Sequence, residues 1–241
     1  MRPSLRRWVV LSVVNYAAKP RSVVCSALSA HSTVVPRLLC QQRSHSTKVF
    51  ESKMAASTRE ALRSNGIIPD VLDDFEPKYT LKVTYPSTKT EINLGDHIST
   101  KQAHDPPVYE FHPVSPTEGT EPNKAYSLVL TDPDAKSRQE PIWSEFCHWV
   151  VGNASNPRTS GGKSGGTSLE KYMPPSPPPG TGDHRYVFVL LKGDASNVGK
   201  LKAPKERKQW GYGKQRHGVR QWASEHGLEV VGANFFFAQH D

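Results

Sequence analysis

The chain beyond residue 78 is a series of short segments rich in apolar, aromatic and β-branched residues, separated by loops rich in turn formers. Between Tyr79 and Tyr85 every second residue is apolar or aromatic, which is the period of a strand with one buried face. Similar segments follow at residues 107–111, 125–131, 146–151, 186–192 and 230–237, the last interrupted by Gly232. Many strands with few helices predict a mainly β protein, built as a sandwich or a barrel.

Two helices are predicted. Ser57 and Glu60 have the spacing of a capping box, which opens a short helix that Gly66 closes. Near the C-terminus, the apolar spacing over residues 219–226 predicts a second helix, which ends at Gly227.

Two loops are biased in composition. Residues 159–168 consist of Gly, Ser and Thr with one Lys, and we predict a flexible surface loop there. Residues 174–180 include five prolines, which fix φ and predict a stiff, extended loop. A stiff loop beside a strand can form one wall of a pocket.

The first fifty residues differ from the rest in charge. They contain eight basic residues and no acid, and they are rich in arginine and serine, which indicates a mitochondrial presequence. Two alternatives stay open: a secretory signal, since a basic pair precedes the apolar run 8–14, and translation from Met54. We therefore divide the chain into a basic, acid-free leader, residues 1–53, and one domain, residues 54–241. The protein is mitochondrial if the leader is a presequence, and otherwise cytoplasmic.

The positive charge of the chain belongs to the leader. The formal net charge is +8, from 31 basic and 23 acidic residues, yet residues 51–241 contain equal numbers of both. Without a net positive charge the body has no overall attraction for polyanions, and we expect it not to bind nucleic acid.

Cysteine content and apolar runs argue against a disulfide-stabilised protein, a zinc-binding protein and an integral membrane protein. Cys25 and Cys40 lie in the leader and Cys147 is alone in the body, so the body has no internal disulfide. No zinc-binding spacing of cysteines occurs, and we expect neither a metal nor a cofactor. No run approaches the ~18 apolar residues that span a bilayer, so an integral membrane protein is not expected.

Charged and polar residues are concentrated in three segments beside predicted strands. Residues 132–138 follow one strand, His148 lies in the next, and residues 180–186 enter a third. Each segment alone is ordinary, because Asp and Pro are common in turns. If the three converge, they bring together two imidazoles, a carboxylate and a tyrosine hydroxyl, which form a small anion site.

Residues 162–166 match the GxSxG pattern of a hydrolase, with Ser164 as the nucleophile. That pattern needs a buried strand before it and a helix after it, whereas here a Pro-Arg-Thr-Ser segment precedes and a Gly-Thr-Ser segment follows. A serine hydrolase is therefore an alternative that the local sequence disfavours, and we predict no catalytic residue.

Together these motifs resemble the phosphatidylethanolamine-binding protein family, also called the Raf kinase inhibitor protein family, nearest its fungal carboxypeptidase Y inhibitor-like branch. Four parts of the family's pattern have counterparts here, in the same order along the chain. They are the N-terminal segment at residues 66–71, the DPDAPSR motif at residues 132–138 with Pro141 and His148, the segment of Tyr172 and residues 174–188 that ends in the GTGxHRYVF motif, and the C-terminal segment at residues 232–239. The resemblance covers about residues 57–241.

The resemblance implies a large antiparallel β-sandwich with a few peripheral helices, and a small pocket that binds phosphate or a phospholipid headgroup. The residues that match the family's pocket are Asp132, Trp143, His148, Pro174, Ser176, His184 and Tyr186. This sequence departs from the family's pattern at three places, where Lys136 replaces a proline, Trp143 replaces a tyrosine, and prolines replace a Gly-rich stretch after Tyr172. We expect ligand size and affinity to differ from those of relatives.

The resemblance also implies a non-enzymatic function. The expected partners are a phosphate-type anion or headgroup, a serine carboxypeptidase or signalling kinase, and the surface of a membrane. An alternative by analogy of fold is a structural role in the mitochondrial large ribosomal subunit, against which the balanced charge of the body argues.

A buried ion pair is predicted between the two motifs. Asp134 and Arg185 each neighbour a pocket residue, and a buried charge is seldom without a partner. We predict that these two side chains meet, with Asp134–Arg138 as the local alternative.

Overall fold

The computed structural model describes residues 53–115, 118–155 and 165–241, whose strands form two β-sheets. In chain order, the strands are β1 (Tyr79–Tyr85), β2 (Thr90–Ile92), β3 (Asp96–His97), β4 (Val108–Pro113), β5 (Lys124–Asp132), β6 (Phe146–Ser155), β7 (Gly165–Glu170), β8 (His184–Asp194) and β9 (Glu229–Ala238). The helices are α1 (residues 53–64), α2 (Ile67–Asp70), α3 (Ala195–Val198) and α4 (Val219–Glu225), with a 3₁₀ turn at Gln209–Gly211. Within this part of the chain, no helix has the length and apolar character needed to cross a membrane.

The strands form the predicted antiparallel sandwich. The smaller sheet has the order β2-β1-β4 and the larger one β3-β9-β8-β5-β6-β7, with β3 parallel to its neighbour. Successive side chains of a strand point to opposite faces. On β8, Val187 and Val189 pack in the cluster that includes residues of α4, whereas Phe188 and Leu190 pack in the cluster shared with β1 and β4. The larger sheet is therefore covered on both faces, by helices on one side and by the smaller sheet on the other.

The long predicted strands are confirmed, with boundaries that differ by a few residues. β1 has the predicted bounds, whereas β8 begins two residues earlier and ends two residues later than its apolar run. The extension has a physical cause, because β5 and β9 flank β8 on both sides and offer backbone partners beyond the apolar residues.

Three local predictions are wrong. The Ser57 hydroxyl donates to the Met54 carbonyl at 2.9 Å inside α1, so it does not cap the helix. Residues 165–168 are not a flexible loop but part of β7, because their backbone pairs with the edge of β6. Gly232 does not interrupt β9 but allows a close approach, since a Cβ there would lie 2.8 Å from the Tyr79 carbonyl oxygen.

Some predictions concern residues outside those described. They include the leader, apart from Lys53, and residues 159–164, which contain Ser164. What the sequence indicates about these residues stays a prediction.

A buried ion pair joins the loop after β5 to the start of β8. The fully buried Arg185 donates from Nε and Nη2 to the two carboxylate oxygens of Asp134, at 2.8 and 2.7 Å. Its Nη2 also reaches Asp70 at 3.0 Å, and its Nη1 donates to the Asn65 carbonyl at 3.1 Å. Asp134 therefore pairs with Arg185, and the same guanidinium connects the sheet to the segment that carries α1 and α2.

We expect the substitution Arg185→Ala to lower the free energy of unfolding by about 3–5 kcal/mol, because it leaves a buried carboxylate without a partner. The matched control is Arg138→Ala, in the same motif but exposed, which we expect to change stability by less than ~0.5 kcal/mol. Equilibrium unfolding in urea measures both changes. A loss below ~1 kcal/mol for Arg185→Ala contradicts a structural role for the pair.

Candidate functional site

Three strands of the larger sheet place the candidate residues at one end of the sandwich. β5 lies between β6 and β8 and is antiparallel to both, so its last residue is level with their first residues. Asp132 ends β5, His148 is the third residue of β6, and His184 begins β8. Tyr186 follows two residues later and therefore points to the same face as His184. Segments that are far apart in sequence meet because the strands are antiparallel.

These residues line a small cavity of about 200 Å³. All seven residues that match the family's pocket contribute to its wall: Asp132, Trp143, His148, Pro174, Ser176, His184 and Tyr186. Its remaining wall residues were not among those selected from the sequence: Ala135, Lys136, Phe146, Met173, Pro177 and Pro178. The cavity is smaller than the ~300–1,000 Å³ of most small-molecule sites. Its size suits one small polar group.

A hydrogen-bonded network holds the buried end of the cavity. The Asp132 carboxylate accepts from the backbone N–H of Asp134 at 2.7 Å through Oδ1, and its Oδ2 contacts Nδ1 of His184 at 2.8 Å. The other ring nitrogen of His184 lies 3.0 Å from the hydroxyl of Thr181, which donates to the Pro178 carbonyl at 2.8 Å. The sequence motif contains Thr181, but its role depends on contacts that the sequence does not reveal.

This network favours the charged form of His184. A carboxylate only accepts hydrogen bonds, so Nδ1 of His184 carries a proton toward Asp132. The Thr181 hydroxyl gives its one hydrogen to Pro178, so it accepts from Nε2, which carries the second proton. Burial lowers the pKa of His184, but the hydrogen bond and charge of Asp132 outweigh it, and the pKa lies above its usual value. The raised pKa therefore favours an imidazolium paired with the Asp132 carboxylate.

The second imidazole, His148, is in a different state. Its Nδ1 donates to the Met173 carbonyl at 2.8 Å. Burial lowers the pKa of His148, and the charge of Asp132 only partly offsets that effect. The ring is therefore neutral at neutral pH, and its Nε2 has no hydrogen-bond partner among the described residues. The sequence predicted two imidazoles at the site, and in the structure the pKa of His184 is raised whereas that of His148 is lowered.

The loop between β5 and β6 forms one side of the mouth of the cavity. Trp143 lies on the loop between β5 and β6, and the ammonium group of Lys208 lies 4.2 Å from the centre of its ring. The exposed Lys136 lines the cavity from the same loop, in a position where the family has proline. The Ala135–Lys136 peptide bond is cis. An exposed ammonium group is thus part of the entrance.

The proline-rich loop forms another part of the cavity wall. Pro174, Pro177 and Pro178 line the cavity, and Ser176 lies among them with an exposed side chain. The loop is attached to β6 by the hydrogen bond from the Met173 N–H to the His148 carbonyl, at 2.8 Å. The wall is therefore fixed in position by the strand that supplies His148.

A larger cavity lies elsewhere in the described part of the chain. It measures about 880 Å³ and is lined by residues 72–78, α4 and the start of β9. Its acidic side chains are engaged with neighbours: Asp74 pairs with Arg59 and Arg63, and Glu229 pairs with Lys78. None of the residues selected from the sequence lines it, so we do not regard it as the functional site.

Comparison with known proteins identifies the class. Residues 74–236 match the family model described as phosphatidylethanolamine-binding protein. The chain belongs to the phosphatidylethanolamine-binding protein family. The carboxypeptidase Y inhibitor of Saccharomyces cerevisiae is 34% identical, over 77% of this chain and 96% of its own length.

Two solved structures extend this comparison. The carboxypeptidase Y inhibitor in complex with its cognate proteinase is 33% identical, with a TM-score of 0.67, over 78% of this chain and 97% of that one. The phosphatidylethanolamine-binding protein of Plasmodium vivax is 23% identical, with a TM-score of 0.62, over 76% of this chain and 98% of that one. The second likeness concerns the fold alone.

We expect Asp132→Asn to lower the pKa of His184 below ~6.5, because burial remains while the hydrogen-bonded charge is lost. The control is Asp183→Asn. It removes the weaker charge interaction of the residue before His184 and leaves the pKa of His184 raised. Titration of the imidazole signals by NMR measures both. A His184 pKa at or below ~6.5 in the unmodified protein contradicts the charged pair.

The same pair links stability to pH. Because the folded-state pKa of His184 is raised, its stabilisation is fully present below the unfolded pKa of ~6.5. It is lost as the pH rises through the folded-state pKa. Asp132→Asn therefore removes this part of the pH dependence of unfolding.

Proposed function

We propose that this chain is a non-enzymatic binding protein whose cavity takes a phosphate-type anion, either free phosphate or the phosphoryl group of a phospholipid headgroup. We further propose that it modulates a protein partner of the serine carboxypeptidase class. The observation that carries the first proposal is the convergence of His148, the Asp132–His184 pair and Lys136 on one small cavity.

The charges of the cavity suit an anion. The Asp132 carboxylate is balanced by the His184 imidazolium, so it does not repel a ligand as a free carboxylate would. The ammonium of Lys136 then gives the entrance a positive charge. Inside, the hydroxyl of Tyr186 offers a donor, and burial raises the pKa of Tyr186, so that it keeps its proton.

His148 makes the binding depend on pH. A neutral ring whose Nδ1–H is engaged presents only a lone pair at Nε2, which accepts a hydrogen bond and does not donate one. Protonation of Nε2 converts the ring into a charged donor, and a bound dianion favours that form. Affinity for phosphate esters should therefore rise as the pH falls, until the ligand itself takes up a proton near pH ~6.

The protein-partner proposal has a separate basis. The relative that inhibits carboxypeptidase Y is similar over almost its whole length, and its solved complex contains the cognate proteinase.

Calorimetry with phosphorylethanolamine tests the cavity. We expect His148→Ala to weaken binding by roughly ten- to a hundredfold, since one charge-assisted hydrogen bond contributes ~1.5–3 kcal/mol. His184→Ala should weaken it similarly, because it leaves the Asp132 carboxylate unpaired beside the ligand. His148→Ala should also remove the tightening of binding between about pH 8 and 6.

Two controls accompany this experiment. His112→Ala changes a histidine of β4 outside the cavity and should bind like the unmodified protein. Ser164→Ala and a fluorophosphonate probe test the hydrolase alternative. We expect Ser164→Ala to leave binding unchanged and the probe not to label the protein. Unchanged affinity of both cavity variants would place the ligand elsewhere, and labelling of Ser164 would contradict a non-enzymatic function.

We expect the purified protein to inhibit carboxypeptidase Y, because it is 34% identical to a known inhibitor of that enzyme. Hydrolysis of a peptide substrate at increasing protein concentration measures the effect, and trypsin, a serine endopeptidase, is the specificity control. If carboxypeptidase Y keeps its full activity at a saturating concentration of this protein, that enzyme is not a partner.

A further inference from the structure

Two lysines give the mouth of the cavity a positive charge. Lys136 lines the cavity, is exposed, and forms an ion pair with no acid in the described ranges. On the segment before α4, the exposed Lys208 places its ammonium group 4.2 Å from the centre of the Trp143 ring. Trp143 itself lines the cavity, so both ammonium groups lie at the mouth.

Backbone hydrogen bonds hold the three segments of this side together. The N–H of Trp143 donates to the carbonyl of Ala135, the residue before Lys136, at 2.9 Å. The Trp143 carbonyl accepts from the N–H of Gln209, the residue after Lys208, at 3.1 Å. The two lysines therefore extend from backbone that is fixed to either side of Trp143.

The rest of the cavity wall does not offset this charge. Among the described residues that line it, Asp132 is the one carboxylate, and it is hydrogen-bonded to His184 at 2.8 Å. The proline-rich loop contributes three prolines and Ser176, which are uncharged. Two other acids, the exposed Glu140 and the half-buried Asp183, are near wall residues in sequence but do not line the cavity. The wall therefore leaves the two ammonium groups uncompensated.

The size of the cavity determines which part of a ligand meets these ammonium groups. A volume of about 200 Å³ suits one small polar group, and the hydrogen bonds among Asp132, His184 and Thr181 close its buried end. A phosphoryl group inside the cavity therefore leaves the organic part of its ester at the mouth. There the organic part lies beside Lys136 and Lys208.

We propose that Lys136, assisted by Lys208, determines specificity by making the cavity prefer phosphate esters with an anionic organic part over esters that carry an ammonium group. This inference rests on the proposed binding of a phosphate-type anion and specifies the class of ligand. Unlike charges attract and like charges repel across a few ångströms, even where solvent weakens the interaction. Phosphorylethanolamine is then a weaker ligand than an ester with a carboxylate in place of its ammonium group.

Position 136 is where this chain departs from the family's pattern, which has proline there. Proline brings no charge, whereas Lys136 adds a cation at the point where the organic part of a ligand leaves the cavity. We therefore expect a selectivity that differs from that of relatives with proline at this position.

Calorimetry of the full chain with a matched pair of esters tests the proposal. Phosphoglycolate and phosphorylethanolamine have the same number of bonds between the phosphorus and the charged group, which is a carboxylate in one and an ammonium in the other. At about pH 8 both phosphates are dianions, so the two ligands differ in that group. An exposed charge pair changes an equilibrium constant by up to about fivefold. With about threefold from each lysine, we expect phosphoglycolate to bind roughly tenfold more tightly.

Charge reversal at position 136 should remove this preference. In Lys136→Glu the new carboxylate offsets Lys208, so we expect the two esters to bind within about twofold of each other. Lys208→Gln, at a residue that does not line the cavity, should reduce the preference to roughly threefold. If Lys136→Glu does not fold, Lys136→Gln takes its place, also with an expected preference of roughly threefold.

The matched control is Lys200→Glu, which makes the same change of charge at an exposed lysine. Lys200 follows α3, which begins where β8 ends, whereas His184 at the cavity begins that strand. The control lysine is therefore near the far end of β8. We expect this variant to keep the roughly tenfold preference of the unmodified protein.

A second pair of ligands distinguishes a lipid headgroup from a free phosphate ester. Short-chain phosphatidylserine and phosphatidylethanolamine, used as dissolved monomers, differ by one carboxylate. A preference for phosphatidylserine that Lys136→Glu removes supports the proposal with a headgroup as the ligand. A preference confined to the free esters, without binding of either lipid, supports it with a free phosphate ester as the ligand.

Two outcomes separate this inference from the proposed function. Equal affinity of the unmodified protein for phosphoglycolate and phosphorylethanolamine, or an unchanged preference in the variants at position 136, overturns the role of Lys136 and leaves anion binding intact. Absence of binding of both esters and of inorganic phosphate overturns the proposed function and this inference with it.

Discussion

The contact between the loop after β5 and the first two residues of β8 is the interaction on which the site depends. Asp132 pairs with His184 and Asp134 pairs with Arg185, so two neighbouring acid–base pairs join the same two segments. The Arg185 pair is fully buried and connects the sheet to the chain near α2. The His184 pair lies beside it at the cavity, so its geometry is fixed by a contact that belongs to the fold.

This arrangement explains why the pKa of one imidazole is raised and that of the other is lowered. Both rings are buried, and burial alone disfavours an imidazolium. His184 has a carboxylate and a hydroxyl acceptor at its two nitrogens, whereas His148 has a backbone carbonyl at one nitrogen only. The cavity therefore combines the Asp132–His184 pair with a second ring, His148, whose Nε2 can still take a proton.

Charge is also organised on the scale of the whole body. A zero net charge led to the expectation that the body has no attraction for polyanions, yet residues 200–220 contain eight basic residues and one acid, and Lys208 of this segment lies over Trp143 at the cavity. Net charge governs attraction at long range, whereas attraction close to a surface depends on where the charges lie. The structure supplies that position through hydrogen bonds between Gln209, Arg216 and the loop at Trp143.

Much of the fold could be predicted from the sequence because it depends on local pattern. The alternation in Tyr79–Tyr85 predicts β1, and the apolar run of β8 predicts a strand buried on both faces. β7 could not be predicted in this way, because its Gly-Gly-Thr-Ser sequence has no strand propensity and its pairing with the edge of β6 decides its conformation.

The sequence by itself determined which residue types are present at the candidate site and the order in which their motifs occur. All seven residues selected from those motifs line one cavity, because antiparallel pairing brings the end of β5 level with the starts of β6 and β8. Only the tertiary structure decided the raised pKa of His184, the hydrogen bonds of Thr181 and the position of Lys208 over Trp143. These depend on contacts between residues far apart in sequence, for which no local pattern exists, and on burial, which strengthens the electrostatic interaction of each pair.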